Sequence, residues 1–305
     1  MGSHRPSPSV YRPCSQLSVA LPQSPAPLLS MAAWTLLITG CGTSHGNPPW
    51  GYPQLWSEDP KDLRRRSGAA LLGPAGEVIL IDCGPDLMQQ LRDPWRDWDG
   101  VSYPSRCISR CDGLLLTHAH ADHSHGLNDL RHLNRLMDGR SIALHGAAEH
   151  LQELRRMFPF CFGDREAYYH QGNPALLTVA LEPSQGVKLA GLDCTPYPLS
   201  HGPAGLVYAW RLGPQAGYIT DAKTLPESTR EAFRGLDLLV VNMLQERSHV
   251  SHLNWEECQD LLADLQPRRA VLTHMGYSVR WADWQQRLPA HVEMAYDGWH
   301  GSFDV

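Results

Sequence analysis

No apolar run in the 305 residues approaches the ~18 that would argue a membrane-spanning helix, so a soluble chain is expected. Cysteine is sparse. Eight cysteines without dense regular spacing do not make a disulfide framework and fit the thiols of a reducing compartment, so a cytoplasmic location is expected. Positive charge is not in excess either: 26 Lys and Arg face 32 Asp and Glu, a formal net charge of −6, which removes the global basic footprint of non-specific nucleic-acid binding. A local basic groove stays open. Acidic residues are missing from positions 1–30, which are rich in Pro and Ser and cannot bury enough apolar surface to order themselves. Residues 1–31 are therefore expected to be a disordered tail. A mis-assigned start with Met31 as the true first residue, or an expression remnant at Met1 to His4, accounts for it more simply than an organelle transit segment.

What remains, residues 32–305, is apolar enough for one large α/β domain. Strands are expected at WTLLITG, SGAALLG, EVILIDCG, DGLLLTH and SIALHG, then around TVALE, LDCTPYPLSH, LVYAWRLG, AGYITD, LDLLVVNML, RAVLTH and VEMAYDG. Helices are expected in PDLMQQLRD with Pro85 in its first turn, from Gly126 to Leu136, near Ala147 to Met157, from Pro226 to Phe233, and in WEECQDLLADL behind a cap at Asn254. A Trp-rich connection follows the first helix. Strands outnumber helices and helices interrupt them in both halves. That pattern suits two packed sheets covered by helices better than one all-parallel sheet.

The strongest local signal is THAHADHSHG, residues 117–126, directly after an apolar strand. A strand end fixes the backbone while the following loop splays alternate side chains into one pocket, so His118, His120, Asp122 and His123 can surround metal with little help from distant chain. Neutral imidazoles with a carboxylate are the donor set of a divalent transition metal.

With HAHADH standing for HxHxDH, the chain resembles the metallo-β-lactamase superfamily from about Trp34 to its C-terminus. Asp82 in LIDCG, His201 in PLSHG, Asp221 in YITD and His274 in VLTH match the other strand-end positions of that family. The resemblance implies an αββα sandwich of two mixed sheets with metals at one sheet edge. It implies His118, His120 and His201 around one ion, Asp122, His123 and His274 around a second, Asp221 as the bridge, and Asp82 as an orienting carboxylate behind the ligands. GCGTSHGNP, RRRSGAAL, IDCGPDLMQQL, HGLNDLR, HVSHLNWEEC and AYDG further resemble the PhnP-like phosphodiesterases, which act on cyclic phosphates. One departure is plain. That group carries a cysteine-rich zinc loop after the glycine turn, whereas residues 47–62, NPPWGYPQLWSEDPKD, contain no cysteine.

Two divalent ions, zinc or manganese with iron also admissible, lower the pKa of a shared water until hydroxide exists near neutral pH and polarise a phosphoryl oxygen. The expected function is thus hydrolysis of a small or cyclic phosphodiester by a hydroxide between the metals. Asp122 and His252 are the expected catalytic residues, His252 by resemblance and as a proton donor to the leaving oxygen. Arg66 and His45 are expected to face substrate. Cys107 and Cys111 are expected to be plain thiols. Cleavage of a lactone or thioester, transfer-RNA 3′-end processing, and a non-catalytic binding or carrier role like that of PqqB stay open. A small-molecule partner is expected, nucleic acid is disfavoured, and a homodimer is admissible.

Overall fold

The computed structural model describes residues 33–94, 107–162, 172 and 174–305; the expected tail and the Trp-rich connection lie outside them. Among the described residues the strands are β1 (Trp34–Gly40), β2 (Gly68–Leu72), β3 (Val78–Ile81), β4 (Gly113–Leu115), β5 (Ile142–Gly146), β6 (Leu176–Ala180), β7 (Val187–Leu189), β8 (Leu192–Ser200), β9 (Leu206–Leu212), β10 (Ala216–Ile219), β11 (Leu238–Asn242), β12 (Arg269–Thr273), β13 (Val292–Met294) and β14 (His300–Phe303). They form two seven-stranded sheets, in order β14-β1-β2-β3-β4-β5-β6 and β13-β12-β11-β10-β9-β8-β7. Each sheet is mixed: β3 to β6 are parallel, as are β10 to β13, and the remaining pairs are antiparallel.

Side-chain alternation explains the layers. On β1 and β3, Leu36, Ile38, Ile79 and Ile81 join the core between the sheets, while Leu37, Val78 and Leu80 turn outward into a second apolar cluster. That outer cluster is covered by Leu151 and Leu154 of the Ala148–Met157 helix. Across the second sheet, the Trp255–Leu265 helix lays down Cys258, Leu261, Leu262 and Leu265. This helix starts where its sequence says: the Asn254 side chain accepts from Glu257 N at 3.1 Å, and the Glu257 carboxylate accepts from Asn254 N at 3.1 Å, a reciprocal cap. The result is two packed sheets flanked by helices.

Some elements differ from expectation. Residues 126–136 do not form one α-helix but a 3-10 turn, Leu127–Leu130, followed by an α-helix, Arg131–Leu136. Leucines spaced by three fit the 3-10 period rather than 3.6, and the last of them, Leu136, is exposed. The first helix begins at Leu87 with Asp86 as its N-cap residue, so Pro85 precedes it instead of lying in its first turn. β7 and β14 were not expected; one has three residues, and the other, HGSF, carries a single large apolar side chain. No helix among the described residues is long and apolar enough to cross a membrane.

Candidate metal centre

Strand ends deliver the site. Asp82 follows β3, the 117–123 segment follows β4, His201 follows β8, Asp221 lies two residues after β10, and His274 follows β12. Three of these, Asp82 (φ 60°), Asp221 (φ 54°) and His274 (φ 55°), sit in the left-handed region that L-residues seldom occupy. Short polar side chains tolerate that turn best, and the turn swings each side chain off its strand.

The side chains converge. His118, His120 and His201 offer ligand atoms within 4.8 Å of one another, and so do Asp122, His123, Asp221 and His274. Asp221 belongs to the second group and also lies with His201 and His252 in a third, so it reaches the first group through His201. Its Oδ1 lies 3.6 Å from His201 Nε2 and 3.4 Å from His274 Nε2, while Oδ2 lies 3.1 Å from His123 Nε2. Asp122 Oδ2 is 3.3 Å from the same His123 nitrogen. All of these residues are buried except His120, which stands on the open side of the cluster.

Behind the cluster, each of four imidazoles is tied through Nδ1, which leaves Nε2 facing inward. Asp82 Oδ2 meets His123 Nδ1 at 2.7 Å and accepts from Thr117 Oγ1 at 2.8 Å, while its Oδ1 accepts from Thr117 N at 2.8 Å. Thr117 Oγ1 also lies 2.9 Å from His118 Nδ1. His201 Nδ1 donates to the Ser251 carbonyl at 2.7 Å, and Ser67 Oγ lies 2.6 Å from His274 Nδ1. Such outer partners fix tautomer and ring direction. Thr117, Ser67 and Ser251 escape a reading of the sequence because a lone hydroxyl or a backbone carbonyl has no motif; only the RRRSGAAL resemblance touched Ser67.

Electrostatically the pocket asks for cations. Burial pushes the His118 imidazole well below its usual range, and desolvation likewise lowers His274 and, on the open side, His120. Burial also acts to lower His123, but Asp122, Asp221 and Asp82 outweigh it and hold that ring well above its usual value. For Asp221 burial acts upward, yet His274, His123 and His118 keep the carboxyl well below the usual carboxylate range. Carboxylates thus stay charged in a nearly dry site, while His118 Nε2 and His123 Nε2 are buried without a hydrogen-bond partner. Inward-facing orphan nitrogens beside buried carboxylates fit divalent metal.

Close backbone approach completes the cradle. A Cβ on Gly84 would lie 2.0 Å from the Asp122 carbonyl oxygen, and one on Gly126 would lie 2.2 Å from the Gly84 oxygen. Gly84→Ala is expected to weaken metal binding by about tenfold or more while leaving far-UV circular dichroism native, because the added methyl pushes the ligand loop from the Asp82 turn. Metal titration of the variant checks this; wild-type affinity would mean that the loop does not need the contact.

Of the remaining expected residues, Arg66 and His45 are engaged outside the cluster, whereas His252 lies within it. Arg66 donates through Nε to Asp86 Oδ2 at 2.9 Å and through Nη2 to Asp86 Oδ1 at 2.6 Å, a pairing across twenty residues of chain that sequence spacing does not announce. His45 is exposed and lines a cavity with Trp56 and Arg66. His252 joins the cluster: its Nδ1 is 3.8 Å from Asp221 Oδ1, and its ring is 4.6 Å from that of His201 and 4.9 Å from that of His274. Burial, with neighbouring imidazoles, pushes its pKa down to about 3. Cys111 is buried with its thiol pushed up to about 12 by desolvation. In the 47–62 segment, Asp62 takes over as the organiser, accepting from Ser57 Oγ at 2.7 Å, Arg64 Nη2 at 2.8 Å and Trp281 N at 2.8 Å.

Comparison with known proteins follows this geometry. A family model described as a beta-lactamase superfamily domain matches residues 77–275, well over half of the chain. The chain belongs to the beta-lactamase superfamily. Among solved members, a diphosphatase from the PhnP family superposes with a TM-score of 0.75 at 27% identity, over 90% of this chain and 98% of that one. Zn(2+)-bound PqqB from Methylobacterium extorquens superposes with a TM-score of 0.64 at 16% identity, over 89% of this chain and 100% of that one, a likeness of fold. A curated relative, an octanoyltransferase of Porphyromonas gingivalis, is 29% identical over 272 residues, 88% of this chain. The superfamily member described here spans about half of that relative, 51% of its length. Fold and family model place the chain in this superfamily, close to the PhnP-like group, and its His/Asp cluster is a donor set suited to divalent metal.

Proposed function

We propose that the chain is a phosphodiesterase acting on a small or cyclic phosphodiester, whose His/Asp cluster would hold two divalent ions, zinc, manganese or iron, with Asp221 shared between them. The observation that carries this reading is the reach of that one carboxylate to His201 and His274 through Oδ1 and to His123 through Oδ2. His118, His120 and His201 would hold one ion, and Asp122, His123 and His274 the other. When bound, such a pair supplies Lewis acidity and makes a nucleophile of water near neutral pH.

The chain's own residues do the rest. Asp122, buried beside His123, orients the attacking water from the same side as the ligands. Arg66 is clamped by Asp86 through Nε and Nη2, which leaves Nη1 to meet a phosphate oxygen. His252, which burial keeps neutral beside Asp221, is not a ready-made proton donor as the sequence suggested; it would first take the proton released by the attacking water and then pass it to the leaving oxygen. The grouping of His252 with His201 and Asp221 within 4.8 Å gives it a competing role as a ligand. His252→Ala separates the two: turnover is expected to fall about a hundredfold or more with metal content unchanged, and a matching loss of metal would make it a ligand instead.

The likeness to the PhnP-family diphosphatase supports phosphoryl chemistry, and the octanoyltransferase relative favours acyl hydrolysis as a second reading. Cys161, Cys194 and Cys258 have thiols pushed up to about 12 by burial, which makes these three poor nucleophiles for acyl transfer. Metal-loaded protein tested on a cyclic phosphodiester, a diphosphate ester and an octanoyl thioester decides between them. Chelator-sensitive turnover of the first by at least a hundredfold over the thioester is expected; the reverse order would defeat the proposal.

A further inference from the structure

The loop that joins β11 to the Trp255–Leu265 helix carries His252 and has little of its own to hold its shape. Residues 246–252 form no helix or strand, and Val250 among them is 71% exposed. Only the flanks are fixed. Trp255 N donates to the Gln245 carbonyl at 3.0 Å, and Leu253 N donates to the Ala222 carbonyl at 2.8 Å while its own carbonyl accepts from Leu244 N at 3.0 Å. Between those flanks, no backbone-to-backbone hydrogen bond among the described residues shapes the chain.

Side chains take over, and Ser251 is the node. Its amide donates to His249 Nδ1 at 3.3 Å, its hydroxyl lies 3.2 Å from the same nitrogen, and its carbonyl accepts from His201 Nδ1 at 2.7 Å. An amide can only donate and a carbonyl can only accept. His249 Nδ1 is therefore the acceptor, with the ring proton on Nε2, whereas His201 carries its proton on Nδ1. A ring that bonds the amide two residues on closes a local turn as an Asx side chain does. Packing ties this turn to the cluster. A Cβ on Gly202 would lie 2.2 Å from the Val250 carbonyl oxygen and 3.1 Å from Ser251 Cα, so the residue after His201 sits flush against it. The His249 ring is 5.2 Å from that of His252, which is 4.6 Å from that of His201.

We infer that His249 is a positioning residue of the centre: by accepting the Ser251 amide at Nδ1, it sets the turn that aims His201 Nε2 inward and seats His252 beside Asp221. The inference rests on the metal reading of the cluster and is independent of the substrate chosen. His249 acts through Ser251, because that one residue bonds the His249 ring at its amide and the His201 ring at its carbonyl. A shift of the turn moves the support of His201 and the mount of His252 together.

Nitrogen-15 NMR of the histidine rings in metal-free protein reads the His201 Nδ1–H directly, with His201→Ala assigning its signal. In the wild type this proton is expected to exchange slowly with solvent, since a buried ring holds it against the Ser251 carbonyl. His249→Ala should speed the exchange about tenfold or more. His249→Asn, whose amide oxygen stands in for Nδ1, should restore slow exchange; His249→Gln, which reaches to the Nε2 position, should not. Zinc titration should follow the same order, with the alanine and glutamine variants binding about tenfold more weakly than wild type and the asparagine variant close to it. Exchange in His249→Ala that stays at the wild-type rate overturns the inference, and so does unchanged zinc affinity. Rescue by glutamine and not by asparagine also overturns it, because Nε2 would then be the working nitrogen. A wild type that binds no zinc would defeat the metal reading and leave the exchange rates to decide the turn; a lack of phosphodiester turnover would touch neither.

Discussion

Asp221→Ala is expected to strip the centre of metal and to lower hydrolysis by about a thousandfold or more, the largest single effect available in this chain. The reason is geometric. One carboxylate faces His201, His274 and His123 within 3.1 to 3.6 Å, so its loss removes a donor from both ion positions and leaves His123 with less of the negative charge that sustains it. Because Asp221 also adopts a left-handed backbone, alanine confounds charge with strain. Asp221→Asn resolves this, since asparagine accepts that conformation while lacking the charge. Metal analysis of both variants should show sub-stoichiometric binding. An asparagine variant that keeps full metal content and activity within tenfold of wild type would show that the carboxylate is not shared.

Asp82→Ala should produce the second-largest effect, and of a different kind. Three donors converge on this buried carboxylate, the Thr117 amide, the Thr117 hydroxyl and the His123 ring, and deletion leaves them without an acceptor away from water. A charged, buried acceptor of this sort is worth roughly 3 kcal/mol or more of stability, and loss of the ring's anchor costs metal affinity about tenfold to a hundredfold. Because Asp82 is left-handed too, urea denaturation of the metal-free Asp82→Ala protein is compared with that of Asp82→Gly, which lacks the carboxylate without the strain, and metal titration reads the second quantity. If apo stability is unchanged, the hydrogen bonds are being satisfied by water and the site is wetter than its burial implies.

Much of this architecture is written in local pattern. Apolar runs such as LLVVN and RAVLT can be little else than strands buried on both faces, and the Asn254 cap with Glu257 three residues on marks its helix start unaided. Short or mixed strands are different: VKL and HGSF owe their state to pairing with β8 and β1, a tertiary fact that no window of sequence contains. The site divides in the same way. Clustered histidines and aspartates at strand ends carry a chemical signature, and the fold brings His118, His120, Asp122, His123, His201, Asp221 and His274 together. Their supports do not. Ser251 serves through its carbonyl, which every residue possesses, and the partner of Arg66 turns out to be a carboxylate twenty residues away rather than anything its own arginine run suggests.

The three left-handed strand ends also bear on how such a centre can decay. At positions 82, 221 and 274 the main chain screens substitutions before chemistry does, rejecting branched residues whatever the state of the metal. A lineage that abandons catalysis while keeping this scaffold should therefore drift toward asparagine or glycine at those points, so that silent descendants would still display the imprint of a ligand set they no longer use.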